Sequence, residues 1–428
     1  MTEQLDRPAA GPGSPTTGSA VSGCPVSGGP APDASLPDYP FTRPSALEPC
    51  PHYAKMRAGV PVGQVRMPSG DLAHLVTTYE DVKTVLSDPR FSREATTRPG
   101  APRLGPAPQN FRSLLNMDPP EHTRVRKLVS REFTVRRVNE LRPRIQEHTD
   151  RLLDAMEEAG PPADLIPALA FPLPVTMICE LLGVPFEDRD RFAGWSAAFL
   201  ATAGMPAEEV LASQIALRDY LAALVAEKRK RPGTDLMSAL VSIHDAGDGR
   251  LDEQELIFLG ISLLVAGHET TVNQIGNSVL ALLTHPEQLA AVRSDPEKIG
   301  RAGEELLRMY PPGDEALLRI AVEDVELSGV LIPAGSAVLP SLGSANRDGG
   351  QFTDADTLDV TREINPHLSF GQGAHYCIGS GLARAELQIS VATLLRRFPD
   401  LRLAVPESEL PRPSGRLVHG VSALPVAW

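Results

Sequence analysis

Apolar residues return at helical spacing along most of this chain. From about residue 37 onward, leucine, valine and alanine recur every three or four positions, which is the period of one face of an α-helix. Proline or glycine interrupts the pattern at intervals and marks the expected helix ends. The pattern predicts helices over residues 47–58, 79–87, 117–132, 137–158, 171–183, 187–202, 207–231, 234–245, 251–283, 287–292, 296–309 and 378–398.

One predicted helix, over residues 251–283, is apolar on nearly every side around its middle. A helix with this pattern is buried, so we expect it to run through the core. Its most apolar stretch, 257–266, is shorter than the roughly 20 apolar residues that cross a bilayer. No membrane association is therefore predicted.

Short strand-like segments accompany the helices. Residues 60–67 and 72–77 predict a hairpin that turns at residues 68–70, where proline, serine and glycine follow one another. A proline-rich stretch over 98–110 predicts a loop, and loops of this length are usually functional or mobile. The predicted fold class is mainly α with small β-sheets. Further short strands are predicted over 325–327, 337–339 and 401–403.

The composition supports this fold class and excludes some functions. The 428 residues are 42% hydrophobic, which excludes disorder over most of the chain, and the 5% aromatic content favours packed helices. A net charge of −13 argues against a nucleic-acid-binding protein, which would carry a basic surface. Residues 1–36 are rich in proline, glycine and serine and predict a disordered tail, which leaves 37–428 as the folded part.

The cysteines and the first residues of the chain indicate the cellular compartment. The cysteines are too few and too scattered for a disulfide scaffold, and no pair has the spacing of a zinc module. The first residues are charged or small and include proline, unlike the apolar stretch of a signal peptide. We therefore expect a protein of the reducing cytoplasm. The four cysteines are Cys24, Cys50, Cys179 and Cys377.

The segment before the last predicted helix is the most informative one. Cys377 stands at the start of that helix, where free backbone N–H groups and the helix dipole stabilise a thiolate. Gly371, Gly373 and Gly379 surround it and allow a tight loop that a bulky partner can approach closely. Such a thiolate can serve as a nucleophile, a redox thiol or a metal ligand. The alternative is a buried structural cysteine.

This segment resembles the signature of the cytochrome P-450 superfamily, the haem-thiolate monooxygenases. The signature Phe-x-x-Gly-x-x-x-Cys-x-Gly is matched by Phe370, Gly373, Cys377 and Gly379. The resemblance implies the cytochrome P-450 fold as a single catalytic domain over residues 37–428. It also implies haem b as the cofactor, with Cys377 as the axial ligand of the iron, and thiolate ligation favours O–O cleavage.

A second match lies on the predicted helix over 296–309. Glu305 and Arg308 are three residues apart on one helix face and can form an ion pair, which taken alone is a common surface feature. They match the Glu-x-x-Arg of the family. The resemblance implies a buried structural pair joined by a later arginine, for which Arg362 is the candidate.

A third match lies on the long central helix. Buried polar residues on an apolar helix need partners. In the simpler reading, Thr270 bonds a carbonyl one turn back, and His268 and Glu269 point into water. The resemblance implies instead that Ala266, Gly267, Glu269 and Thr270 are catalytic, with Gly267 loosening the helix for dioxygen and water. A zinc-protease motif is excluded, because HExxH requires histidine at position 272, which is Val272.

Upstream, His122 and Arg126 are four residues apart on one face of a predicted helix. In the family, such a pair binds the haem propionates, as charge-assisted hydrogen bonds to carboxylates do. Arg319 and His375 match the other propionate partners of the family. Single histidines and arginines are otherwise ordinary surface residues.

The resemblance implies an oxygenase that hydroxylates or epoxidises an apolar small molecule. The substrate is expected to be a specialised metabolite such as a macrolide or another polyketide. Asp314 or Glu315 is a candidate partner for a substrate amine such as an amino sugar. By family analogy, the pocket is lined by Ser262, Val265, Asp314, Glu315, Leu317, Leu318 and Val418.

Electrons are expected from a separate ferredoxin and its reductase, because no room remains in the chain for a flavin domain. The region over 122–137 is locally basic and would attract an acidic partner, although a solvated helix face explains the same charges. A monomer is expected.

Three alternatives remain at this point. A cysteine hydrolase would use Cys377 with His375 and need no haem. A haem-based sensor would need neither Glu269 nor Thr270. A haem-thiolate enzyme that couples two carbon atoms, or carbon and nitrogen, as in a cyclic dipeptide, would share every haem motif.

Overall fold

The structure is a computed structural model, and it describes residues 36–105, 112–247 and 249–428. The predicted tail over 1–36 lies outside the described residues except for its last residue. Residues 106–110 of the predicted proline-rich loop lie outside them as well. Residues 37–428 form one compact unit.

The described residues are mainly helical, as the apolar pattern predicts. The helices are α1 (Pro51–Ala58), α2 (Tyr79–Ser87), α3 (Glu121–Ser130), α4 (Val135–Ala159), α5 (Pro172–Leu182), α6 (Arg189–Phe199), α7 (Ala207–Lys230), α8 (Leu236–Asp245), α9 (Glu253–Thr284), α10 (Pro286–Ser294), α11 (Ile299–Met309), α12 (Leu342–Ala345) and α13 (Ser380–Arg397).

Prolines account for the largest shifts in helix boundaries. The helix predicted from residue 47 begins only at Pro51, which occupies the first helical position, where no N–H is needed. The helix predicted from residue 117 begins at Glu121, after two consecutive prolines. Both differences shorten a helix at its N-terminus without changing its buried face.

Helix α9 runs through the core, as predicted. It begins with a capping box in which the Asp252 side chain and the Glu255 side chain each bond a backbone N–H. It packs against α5 and α13. By length and composition alone it could cross a membrane, contrary to the expectation that its apolar stretch is too short, but 67% of its most apolar window is buried inside the protein. It is therefore the core helix of this fold.

The strands are short and lie at the sides of the helical core. The predicted hairpin is confirmed: the first two strands pair antiparallel, with Val62 opposite Val76. The largest sheet has the order β1-β2-β8-β5-β3. The strands are β1 (Val62–Arg66), β2 (Leu72–Val76), β3 (Phe91–Ser92), β4 (Ala163–Asp164), β5 (Arg319–Ala321), β6 (Val325–Leu327), β7 (Val330–Ile332), β8 (Ala337–Pro340), β9 (Arg402–Leu403) and β10 (Pro425–Ala427).

Candidate functional site

The loop that carries Cys377 is held by backbone contacts. The N–H of Cys377 donates to the carbonyl of Phe370 at 2.8 Å, which closes the loop ahead of α13. Gly373 has φ +72°, and a Cβ at this position would lie 2.7 Å from the carbonyl oxygen of Leu86. Only glycine therefore fits where the loop passes over the end of α2.

Cys377 is exposed, although many protein atoms surround its sulfur. Burial raises the pKa of the thiol, while the backbone N–H groups of Gly379 and Ser380 and the nearby Arg126 guanidinium lower it. These N–H groups belong to the start of α13, where backbone donors have no partner within the helix. The sulfur is therefore accessible and surrounded by hydrogen-bond donors and a cation.

Four residues predicted from separate parts of the chain meet beside this loop. The rings of His122 and His375 lie 4.3 Å apart. Arg126 donates to the carbonyl of Tyr376 at 2.5 Å, and the charge of Arg319 lowers the pKa of His375. The Nε2 atoms of both histidines and the Nε of Arg319 are buried without a hydrogen-bond partner. The cluster thus has buried nitrogen atoms that no group in the described residues satisfies.

The cluster of His122, Arg126, Arg319 and His375 contains a fifth member that the sequence analysis missed. Arg93 is 3% exposed, and its side chain donates to the carbonyls of Leu115 and Leu318. Burial and the charge of Arg319 lower its pKa to about 9. Burial, His122 and these arginines lower the pKa of His375 to about 2. Arg93 follows a two-residue strand, and no spacing rule links it to the other four residues.

The middle of α9 carries the predicted catalytic group. Ala266 is exposed in a run of buried residues, and Val265 just before it packs in the same apolar cluster as Ile378. The Thr270 hydroxyl donates to the carbonyl of Ala266 at 2.9 Å. A threonine in a helix commonly donates in this way to the carbonyl one turn back. The bond leaves the lone pairs of the hydroxyl oxygen free to accept a hydrogen bond.

The expected loosening of α9 at Gly267 stays a prediction, because an unbroken helix does not exclude a local opening. The helix is continuous from Glu253 to Thr284. A Cβ on Gly267 would lie 2.7 Å from Cδ1 of Ile178 on α5. Gly267 therefore permits close packing of two helices.

The expectation that His268 and Glu269 point into water is wrong for His268. His268 is fully buried, and its Nδ1 lies 2.7 Å from the carbonyl oxygen of Leu264. The side chain of Glu269 is 13% exposed, and its Oε1 lies 3.9 Å from Nε2 of His268.

The structure brings Glu305, Arg308 and Arg362 together. The first two side chains are fully buried and joined by two hydrogen bonds of 2.7 and 2.8 Å. Arg362 donates to Glu305 at 3.1 Å. Arg308 also donates to the carbonyls of Asn346 and Ala355. The group thus ties α11 to the chain that leads into the Cys377 loop.

The predicted pocket residues divide into two groups. Val265 and Ser262 are buried on α9, and the Ser262 hydroxyl donates to a carbonyl one turn back. Leu318 is buried, Leu317 is 37% exposed and Val418 is half-buried. These five positions stay predictions for a pocket wall.

The assignment of Asp314 and Glu315 to a substrate amine needs correction. Asp314 is 7% exposed and accepts two hydrogen bonds from Arg43, at 2.7 and 2.8 Å. Glu315 accepts from the hydroxyl of Tyr53 at 2.6 Å, and burial followed by the charge of Asp314 raises its pKa to about 7. Both carboxyl groups are therefore satisfied inside the protein and are not available to a substrate.

The hydrolase alternative also lacks its geometry. In the described part of the chain, Cys377 has no hydrogen bond to His375, whose ring faces His122 instead. A general base must reach the thiol whose proton it takes. The site therefore does not support a cysteine hydrolase.

The chain is similar to known proteins over most of its length. A family model described as Cytochrome P450 matches residues 209–419. Nocardicin C N-oxygenase of Nocardia uniformis subsp. tsuyamanensis is 53% identical over 392 residues, which cover 91% of this chain and 98% of that protein. Mycinamicin IV hydroxylase/epoxidase of Micromonospora griseorubida is 48% identical over 391 residues, with coverage of 91% and 98%.

A solved structure is also similar to this chain in fold and sequence. The LnmA cytochrome P450 hydroxylase from the leinamycin biosynthetic pathway of Streptomyces atroolivaceus S-140 matches with a TM-score of 0.83 and 47% identity. The match covers 92% of this chain and all of that one. The fold predicted from the motifs is therefore confirmed.

Proposed function

We propose a substrate class and the roles of the site residues for this chain, which belongs to the cytochrome P450 family. It is a haem-thiolate monooxygenase of specialised metabolism. We infer that it inserts one oxygen atom of O2 into a largely apolar scaffold of polyketide or peptide origin, by hydroxylation or epoxidation. The relatives named above act on mycinamicin IV and on nocardicin C, which supports this class.

The residues around Cys377 fit haem b. Its two propionates are carboxylates, and the cluster beside the loop offers buried, unpartnered nitrogen atoms of His122, His375 and Arg319. The low pKa values of His122, about 4, and His375, about 2, reflect burial and uncompensated positive charge that two carboxylates would balance. The accessible Cys377 sulfur supplies the iron ligand, and the N–H groups of Gly379 and Ser380 would moderate its electron donation.

When bound, the haem supplies the activation of dioxygen and the oxidation of the substrate. The protein supplies protons and excludes competing reactions. The Thr270 hydroxyl donates its hydrogen to the carbonyl of Ala266. Its oxygen is therefore free to accept a hydrogen bond. Glu269, one residue before it and mostly buried, is the carboxyl group that carries protons to this hydroxyl. Val265 and the buried residues of α9 keep bulk water out.

Replacing Thr270 with alanine should uncouple the enzyme. Oxygen consumption continues, but product formed per electron falls about tenfold or more, because the proton relay loses its last hydroxyl. Hydrogen peroxide rises correspondingly. Thr270→Ser keeps the hydroxyl and should retain most of the coupling. The measurement is product and peroxide per NADH consumed, and equal coupling in Thr270→Ala and the wild type would contradict the assignment.

The substrate class is tested with a panel of macrolides, other polyketides and peptide-derived metabolites. Binding is followed by the shift of the haem absorption band, and turnover with ferredoxin, reductase and ¹⁸O2 is followed by mass spectrometry. The proposal expects a product heavier by one labelled oxygen atom from at least one polyketide or peptide scaffold. Binding and turnover confined to simple fatty acids or terpenes would refute the substrate class.

Bacterial cytochromes P450 generally receive electrons from a ferredoxin and its reductase, and we propose the α3–α4 region as the docking surface of this chain. Arg131 and Arg136 are 60% and 90% exposed and lie 3.5 and 3.7 Å from Glu132 and Glu140. Exposed pairs of this kind are weak, so the arginines stay available to an acidic partner.

Reversing both charges, as Arg131→Glu with Arg136→Glu, should weaken ferredoxin-supported turnover about three- to tenfold and change its dependence on salt. Arg231→Glu is the matched control, because Arg231 is 85% exposed and pairs with a glutamate one turn back, but at the end of α7. Turnover driven by hydrogen peroxide should not change. Equal ferredoxin KM values in the double variant and the control would contradict the docking surface.

The same proposal includes a cytoplasmic monomer. The named relatives are bacterial enzymes, and α9 is mostly enclosed by the protein. Fractionation of producing cells and sedimentation of the purified enzyme test both points. A dimer in solution would refute the monomer.

A further inference from the structure

His268 is a buried histidine that the proposed relay does not yet use. Its Nδ1 lies 2.7 Å from the carbonyl oxygen of Leu264, and a carbonyl can only accept. Nδ1 therefore carries the hydrogen, and Nε2 carries the lone pair. Nε2 is fully buried and has no hydrogen-bond partner within residues 36–105, 112–247 and 249–428.

In the described residues, one polar side chain lies near Nε2 of His268, that of Glu269. Phe192 of α6 packs edge-on against the imidazole, with ring centroids 5.9 Å apart, and offers no polar atom. Oε1 of Glu269 lies 3.9 Å from Nε2. Adjacent residues on a helix normally point in different directions, so this approach of the two side-chain ends is a specific arrangement.

The imidazole is neutral in this position. Burial lowers the pKa of His268, and the opposing effects of Glu269 and of the Leu264 carbonyl are smaller. No other titratable group faces the ring from the elements packed against it in the described residues. A neutral imidazole whose free nitrogen faces a carboxyl group is an acceptor for the protonated form of that carboxyl.

We propose that His268 is a positioning residue for Glu269, holding its carboxyl group while it carries a proton destined for Thr270. A small rotation of Glu269 closes the remaining distance of about 1 Å to an O–H···N hydrogen bond. The proton stays on Oε1 while His268 holds the acid. It is then donated to the Thr270 oxygen as that hydroxyl releases its own hydrogen from the Ala266 carbonyl and passes it onward. The carboxylate is then restored, and His268 is neutral throughout. This inference rests on the assignment of Glu269 and Thr270 to proton delivery.

The first test is spectroscopic and needs no substrate. In holoenzyme labelled with ¹⁵N-histidine, reduced and bound to carbon monoxide, the signals of His268 are assigned by their loss in His268→Gln. Glu269→Gln places an amide N–H where the proposal puts the acid O–H. We expect the Nε2 signal to move towards hydrogen-bonded values in Glu269→Gln, while Nδ1 stays protonated. An Nε2 signal that Glu269→Gln leaves unchanged would overturn the proposal.

The second test separates positioning from packing. His268→Phe removes the acceptor, and we expect the product formed per electron to fall about three- to tenfold, the size expected for one lost hydrogen bond to the proton carrier. His268→Gln keeps an acceptor oxygen and should recover part of this loss. The substrate is the best-converted member of the metabolite panel.

His285→Phe is the matched control. His285 also bonds a carbonyl four residues back, Ala281 at 2.8 Å, but at the far end of α9. It should leave the product formed per electron unchanged. A His268→Phe variant with a lower melting temperature but the wild-type amount of product per electron would show that His268 is purely structural. This result would overturn the proposal. If no panel member is converted, the substrate class fails, and the spectroscopic test still decides the role of His268.

Discussion

Replacing Cys377 with alanine should give a folded protein that has lost its haem-thiolate spectrum and its oxygenase activity. The sulfur is the accessible group at the start of α13, and the buried Nε2 atoms of His122 and His375 beside its loop have no partner in the described part of the chain. An alanine methyl group cannot bind iron. The reduced protein with carbon monoxide should therefore lose the red-shifted absorption band typical of thiolate ligation, and product formation should fall below detection.

The fold should survive this substitution, because the thiol is exposed and the loop is closed by backbone contacts such as that of the Cys377 N–H to Phe370. We expect the free energy of unfolding of the haem-free protein to change by less than about 0.5 kcal/mol. Cys50→Ser is the matched control, since Cys50 is half-buried and distant in sequence, and it should keep the full spectrum. A persisting thiolate band in Cys377→Ala would refute the ligand assignment.

The helices could be predicted from the sequence because their signals are local. The helix expected over 251–283 is found at Glu253–Thr284, and both its capping box and the proline after its end are visible in the chain. Strand β3 has two residues, and its partner β5 lies more than 200 positions later. A segment of this length has no periodicity of its own, so it could not be predicted.

The site was predictable only where motif spacing reflects geometry. Glu305 and Arg308 share a helix face by spacing alone. By contrast, Asp314 and Glu315 were expected to be free carboxylates, and their partners Arg43 and Tyr53 lie 271 and 262 positions away. No local pattern reveals contacts of this range.

The buried ion pair of α11 should be the most costly structural substitution in the chain. Arg308→Ala leaves Glu305 fully buried without its two shortest hydrogen bonds and also frees the carbonyls of Asn346, Ala355 and Thr357. Breaking a buried ion pair by removing one of its partners costs about 3–5 kcal/mol. We expect a loss of this size in the free energy of unfolding, measured by urea denaturation of the haem-free protein, together with poor haem incorporation in cells.

Arg362→Ala is the graded comparison for this prediction. Arg362 is 12% exposed at its side chain and gives Glu305 one hydrogen bond of 3.1 Å, so its loss should cost about 1–3 kcal/mol. The double variant Glu305→Leu with Arg308→Met removes the buried pair and should be more stable than Arg308→Ala alone, because no buried carboxylate is left without Arg308, and Arg362 keeps its hydrogen bonds to the carbonyls of Thr353 and Asp354. If Arg308→Ala unfolds within about 0.5 kcal/mol of the wild type, the pair does not hold the Cys377 loop in place. If the double variant keeps wild-type stability but binds haem poorly, the pair acts by orienting that loop, since its contribution to overall stability would then be small.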